Sequence, residues 1–503
     1  MTATESMCPV GQKPGWRIPT KRGLAEGRLA NVPLDEHVPA VHLHRVHGGR
    51  DGVAGIAMLR EYKLIPVLLC FVFFLLFYGL TSRADLQVSD EVSAFASGIF
   101  LESRGNLVID QLQWLEDTSN ISLGETGRDG HLYSKYFPGN ILSASIIYKL
   151  TKTENDQPYI WNVPPNLNAG MDGIALAASN TGARLALRAN AIFGALAMTA
   201  LFLLSNRYFT LKTSLATVLL VGICSDWWYQ SRGFLSEVGA GAFLIASLYF
   251  AAGKKPYASG FSLGLSLLFR PTNILALPVW GKAVIDKGRK AIWSGFGILA
   301  GLAVLGFFNW IRFGSMTHFG YGNENFTPNL FLGLLGILFS PGRSLFIYSP
   351  ILVLAIPGAW SLYKREKRLA LLAAWMVLSY VVMIAAWHNW DGGWTWGSRL
   401  LTPIVPILGF LTAPIIETIW NRKGDMLVII LLALLGLGVQ LLALAKDPVE
   451  TLVNFVVYGG INYNQTIFTF NNAWVSLQAR SLQTWQFCDL DAYTLRQWFG
   501  NCP

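Results

Sequence analysis

The sequence predicts an all-α polytopic membrane protein with about eleven transmembrane helices and a long first outer loop. Three observations predict it. Of 503 residues, 52% are hydrophobic and only 14% are charged, against roughly 25% charged in a soluble domain. Apolar runs of about 17 to 25 residues, enough to cross a hydrocarbon core of roughly 30 Å, recur from Tyr62 almost to Lys446. Basic residues fall in short clusters between those runs, a distribution that carries topology information.

Residues 1–57 are polar and rich in Gly, Pro and Arg, with no apolar core of the kind a signal peptide needs. They are expected to form a disordered cytosolic segment, and Met58, just ahead of Arg60 and Lys63, is a second candidate start. The expected membrane domain covers 58–445. Its candidate spans are 62–80, 184–204, 212–230, 235–252, 256–269, 272–286, 291–311, 346–362, 369–387, 400–420 and 426–445. Arg270-Pro271 separates the fifth and sixth, and proline disfavours a helical residue before it, so a reentrant pair is an alternative there. Residues 446–503 form the expected extracytoplasmic tail.

Basic residues gather at Arg207 and Lys212, at Lys254 and Lys255, from Lys282 to Lys290, from Lys364 to Arg368, and at Arg422 and Lys423. The opposite side, the long first loop aside, carries only Arg232, Arg270, Arg312, Arg343 and Arg399. The positive-inside rule then sets the N-terminus in the cytosol and the C-terminus outside, in a cell inner (plasma) membrane. Segments 81–183, 313–345 and 446–503 all fall on the outer face and are dense in aromatic residues, which disordered linkers lack. The net charge of +9 belongs to this topology; no Walker-type loop occurs and no nucleic-acid partner is expected.

The first outer loop opens with Ser89-Asp90-Glu91-Val92, a carboxylate pair returning towards the membrane. It reads either as a general base in a partly dry cleft or as a solvated helix start. Further on, Lys135 stands among Tyr133, Tyr136 and Phe137 ahead of an amphipathic stretch, Asn140 to Leu150, too short to span and suited to the interface. Lys135 reads as a point charge for a lipid phosphate or as a snorkelling anchor.

The densest constellation runs from Trp387 to Arg399. Trp390 and Trp394 offer flat faces for a sugar ring, while His388, Asn389 and Asp391 can bond its hydroxyls. Arg399, at the mouth of the tenth span, can take a phosphate in bidentate fashion. An interfacial tryptophan girdle is the plainer reading. Arg232, Arg270 and Arg343 would add a cationic rim for an anionic lipid-linked donor. The histidines are dispersed, so no metal cluster is expected. Cys488 and Cys502 lie close enough in sequence for a disulfide outside the cytosol, or for two free thiols.

This arrangement resembles the GT-C superfamily of membrane glycosyltransferases, on the branch similar to protein O-mannosyltransferases (glycosyltransferase family 39) and aminoarabinose transferases. The likeness rests on Asp90-Glu91 after the first span, on Lys135-Tyr136-Phe137-Pro138-Gly139 in place of a Lys-Pro-Pro-like element, and on the Trp-Gly-Gly…Gly-x-Arg pattern at 390–399. It covers about residues 62–420.

The resemblance implies inverting transfer of a hexose or pentose from a polyprenyl-phosphate donor to a glycan, lipid or protein acceptor outside the cytosol. Asp90 or Glu91 would be the base, Lys135, Arg270 and Arg399 the phosphate ligands, and His388, Trp390, Asp391, Trp394 and Tyr136 the sugar or acceptor contacts. No cofactor is required, and a divalent cation is allowed. Two other classes fit the topology: a secondary transporter or flippase for lipid-linked glycans, and a non-catalytic scaffold for envelope assembly. Internal repeats with broken helices would mark the transporter, and the sequence has none.

Overall fold

The computed structural model describes residues 51–83, 85–119, 122–153, 181–322, 324–326, 329–420 and 425–500. The chain divides into two units, Met1–Met58 and Leu59–Pro503. In the first, 51–58 are described and are helical; the rest of the expected disordered segment lies outside the described residues. The second unit is mostly helical. It also carries a two-stranded antiparallel ribbon, Gly124–Thr126 with Leu132–Ser134 in a register that sets Glu125 opposite Tyr133, so the protein is not purely α.

Among the described residues, five helices are long and apolar enough to cross a membrane: Thr181–Ser205, Arg289–Phe313, Lys367–Ala385, Arg399–Trp420 and Met426–Ala445. The chain is thus a multi-pass membrane protein. Met426–Ala445 has only 28% of its apolar window buried, which leaves most of that surface facing outward, as lipid contact requires. Arg399–Trp420 is 89% buried and forms the centre of the bundle. Shorter apolar helices occupy Leu64–Leu80, Leu211–Ile223, Ser236–Ala252 and Leu330–Phe339.

Several expected spans are interrupted, each for a local reason. The 212–230 run stops at Ile223; the Ser225 hydroxyl turns back onto the Val221 carbonyl, and the chain restarts as Trp227–Arg232. The 346–362 run breaks at Pro350, which lacks the N–H a continuing helix needs. Arg270 takes an extended conformation (φ −148°, ψ 111°) between the helix Pro256–Phe269 and the tight turn Pro271–Ala276, as a residue before proline should. Leu330–Phe339, inside the segment read as an outer loop, is a ten-residue helix whose first turn is capped by the Asn329 side chain, which accepts from the Leu332 amide at 3.1 Å.

The described residues of the long segment after the first helix fold against one another. Pro138–Thr151 is a helix and covers the stretch expected to lie at the interface. It lies against Ser89–Arg104 at Gly98, where a Cβ would come 2.6 Å from the Ile141 carbonyl, and it leaves Ile146 and Leu150 exposed on its other face. The tail is no separate domain. Arg232 pairs with Asp491 at 2.8 Å, both nearly buried, and the Tyr493 amide donates to the Ser82 carbonyl at 3.2 Å. Cys488 is disulfide-bonded, whereas Cys502 falls outside the described residues.

Candidate active site

Asp90 and Glu91 occupy the first turn of Ser89–Arg104, where unpaired backbone N–H groups favour carboxylates. Successive helical residues point about 100° apart, so the pair divides. Glu91 is buried completely. It pairs with Arg83 at 2.6 Å and accepts from the Phe234 amide at 2.7 Å and the Gln87 amide at 2.9 Å. Gly233 leaves the room for this pair, since a Cβ there would overlap the Arg83 guanidinium. Glu91 therefore ties the outer loop to the bundle and does not line the cavity that Asp90 faces.

That cavity has a volume of about 340 Å3. Asp90 Oδ2 lies 2.6 Å from Arg399 Nη2, and Asp90 Oδ1 accepts from the Tyr136 hydroxyl at 2.6 Å. Burial pushes the Asp90 carboxyl up, but the Arg399 guanidinium and the Tyr136 hydrogen bond outweigh it and hold the group below the usual carboxylate range. Asp90 is thus ionised at neutral pH. Burial and the Asp90 charge together push the Tyr136 phenol well up, so it stays a donor.

Glu237, in the first turn of Ser236–Ala252 and almost wholly buried, links the two cavity arginines. Its Oε1 accepts from Arg270 Nη2 and lies 3.5 Å from Arg399 Nε. The result is an alternating array, Asp90, Arg399, Glu237, Arg270, along one wall. Phe137, Phe326, Met383, Ile384, Trp387 and Leu400 give the cavity an apolar wall, and polar side chains such as Ser122, Thr272, Tyr321 and Asn389 complete the lining.

Lys135 stands at the edge of this cavity and is 9% exposed. Its Nζ lies 2.7 Å from Glu324 Oε1 and 5.8 Å from the ring centroids of Tyr136 and Tyr321, one of them from a different loop than expected. Arg312 fixes the backbone around it by donating to the carbonyls of Ser134 and Tyr136, the latter at 2.8 Å. Beyond the Lys135–Glu324 pair lies a second cavity of about 430 Å3. Ser122, Lys135, Tyr321 and Glu324 line both; Gly124, Glu125, Gly320, Gly322 and His388 complete the second. His388 Nε2 is 4.0 Å from Glu324 Oε2.

The tryptophan-rich segment is placed differently from its expected role. Asp391 accepts from the Tyr463 hydroxyl at 2.7 Å, Trp394 stacks on Tyr463 with centroids 5.6 Å apart, and Trp390 meets Phe468 at 6.1 Å. These three residues hold the tail, and of the segment only Trp387, Asn389 and Arg399 reach the first cavity. The cationic rim also shrinks. Arg343 is spent on the Thr395 and Gly393 carbonyls and the Tyr463 hydroxyl, and Arg232 on Asp491, leaving Arg270 and Arg399.

Sequence reasoning missed Glu237, Tyr321 and Glu324. Glu237 carried one signal: an acidic residue at the outer end of an apolar helix, expensive at that depth unless paired. Among the described residues, no group of three or more His, Cys, Asp or Glu side chains is placed to hold a metal ion.

No protein-family model and no curated protein matches this chain. Among solved structures it is similar to ArnT from Cupriavidus metallidurans in the apo state, with a TM-score of 0.45 and 13% identity over 82% of this chain and 66% of that one. The same protein bound to undecaprenyl phosphate gives 0.44 and 13%, over 83% and 69%. The Archaeoglobus fulgidus oligosaccharyltransferase in its apo form gives 0.40 and 10%, over 74% and 54%, so the chain spans two thirds or less of several neighbours.

Proposed function

We propose that this chain transfers a sugar from a polyprenyl-phosphate donor to an acceptor hydroxyl on the extracytoplasmic side of the membrane, by a single inverting displacement beside Asp90. The observation that carries the reading is one cavity in which an ionised carboxylate, two guanidiniums and an apolar wall meet. Arg270 and Arg399 suit a phosphate, the apolar wall suits the first isoprene units, and Asp90 suits a hydroxyl proton.

In the proposed step the acceptor O–H gives its proton to Asp90 as its oxygen bonds to the anomeric carbon. The bond from that carbon to the phosphate oxygen breaks, and the polyprenyl phosphate leaves with the electron pair. Arg399 and Arg270 meet the charge that develops on the leaving group. Arg399 bonds Asp90 before the donor arrives; once it also faces a phosphate its hold on Asp90 weakens, and the base strengthens as the donor docks.

The distribution of basic residues supports about eleven crossings with the N-terminus inside and the C-terminus outside, which puts Asp90, Arg399 and the tail on one face. The proposed step needs no nucleotide or resident cofactor, and a divalent cation would be an accessory to the phosphate.

The test is transfer of labelled sugar from a polyprenyl-phosphate donor in membranes carrying either the native chain or Asp90→Asn at equal protein level. Native activity that the variant lacks supports the reading. If the native chain transfers sugar from no donor, the transferase reading falls and the flippase or scaffold reading replaces it.

A further inference from the structure

The second cavity differs from the first in its lining. Among the described residues, no aliphatic side chain lines it. Its charged groups are two carboxylates, Glu125 and Glu324, set against Lys135 and His388. Three glycines, Gly124, Gly320 and Gly322, expose backbone there in place of side chains. Such a surface offers acceptors and donors in number and almost nothing to an acyl chain.

The two cavities touch along one wall, and the Lys135–Glu324 ion pair stands in that wall. Lys135 is also near enough to Asp90 to help hold its carboxyl down. A hydroxyl entering from the second cavity therefore reaches Asp90 by passing Lys135.

We infer that the second cavity is the acceptor site, and that it takes a hydrophilic carbohydrate acceptor rather than an amphiphile that carries its acyl chains into the fold. This inference rests on the transferase reading above and adds the acceptor's chemical class and route. Glu125 and Glu324 accept hydrogen bonds from neighbouring hydroxyls of one sugar ring, charge-assisted and so about twice as strong as neutral ones. His388 borders the same space with its ring 4.0 Å from Glu324. Glu125 is held by His318 at 3.0 Å, which fixes the outer side of the site. The Glu324 carboxylate serves twice, as partner to Lys135 and as contact for the acceptor, so acceptor binding loosens Lys135 towards the donor phosphate.

The experiment uses the full chain in proteoliposomes with a labelled polyprenyl-phosphate sugar. Three acceptors are supplied in turn: a soluble oligosaccharide, a glycolipid with two acyl chains, and a serine- and threonine-containing peptide. His388→Trp fills the second cavity, and Glu125→Gln removes one of its charges while keeping its shape. The expected result is transfer to the oligosaccharide, with its KM raised tenfold or more by His388→Trp and severalfold by Glu125→Gln, while the donor KM moves less than twofold. Transfer to the glycolipid or the peptide alone overturns the inference, as does an oligosaccharide KM that neither variant moves. Those results leave the transferase reading standing, because donor is still turned over. Absence of donor turnover and donor binding in the native chain removes both.

Discussion

Tyr136→Phe is the sharpest perturbation of the proposed base, because it removes one atom and leaves the packing of a partly buried ring. The Tyr136 hydroxyl donates to Asp90 Oδ1 at 2.6 Å, and Arg399 holds the other oxygen at the same distance. A hydrogen bond to a charged group contributes about 1.5–3 kcal/mol. If the phenol also orients the carboxylate in the transition state, its loss costs kcat/KM roughly ten- to a hundredfold, at about 1.4 kcal/mol per factor of ten. The direction in pH follows separately. Tyr136 helps hold the Asp90 carboxyl below the usual carboxylate range, so deleting the hydroxyl raises that pKa.

The acid limb of the pH–activity profile should therefore move to higher pH in the variant. Stability changes with the same sign. A carboxyl depressed in the folded state stabilises the fold above its unfolded pKa and loses that contribution as pH falls through the folded value; the variant has less to lose. The assay is sugar transfer from labelled donor between pH 4 and 8, with a thermal melt at each pH. An unchanged acid limb, with activity within twofold of native, would refute Asp90 as the group that titrates.

Glu91→Ala should act on stability and not on chemistry. Removing one partner of a buried pair costs about 3–5 kcal/mol, so the melting temperature in detergent should drop by several degrees while the donor KM of the surviving fraction stays native; a donor KM that rises tenfold would place Glu91 in the cavity after all. Metal removal is expected to matter little, because in the proposed step Arg270 and Arg399 meet the charge of the phosphate. Extensive dialysis against EDTA should leave transfer within about twofold of native, whereas a hundredfold loss restored by added divalent cation, on the scale a Lewis acid contributes, would show that the charge is met by metal.

Much of the fold was legible because length and composition decide it. The runs 256–269 and 426–445 coincide with helices Pro256–Phe269 and Met426–Ala445, and the extended Arg270 follows from Pro271. What was not legible depended on partners far away in sequence. Asp90 and Glu91 have similar side chains in the same helical turn, and which one faces the cavity is settled by Arg83 on one side and Arg399, hundreds of residues on, on the other. The tryptophan segment illustrates the same limit. Aromatic faces that suit a sugar suit another aromatic ring equally well, and Tyr463 and Phe468 of the tail take them.

The arginines divide by a rule that depth alone does not supply. Arg232, Arg312 and Arg343 are each 2% exposed or less, and each directs donors at a carbonyl, hydroxyl or carboxylate of another segment. Their charges fasten loops. Arg270 and Arg399 instead share Glu237 and line a cavity, so each retains donors for a ligand. Glu237 also sets the electrostatic balance. With Asp90 it matches the two guanidiniums, so the empty cavity carries no large uncompensated charge apart from Lys135, which Glu324 neutralises. In the proposed mechanism, a phosphate entering that balance competes with Asp90 and Glu237 for guanidinium donors. Donor docking and activation of the base would then be two consequences of one exchange at Arg399, which favours donor binding before acceptor binding.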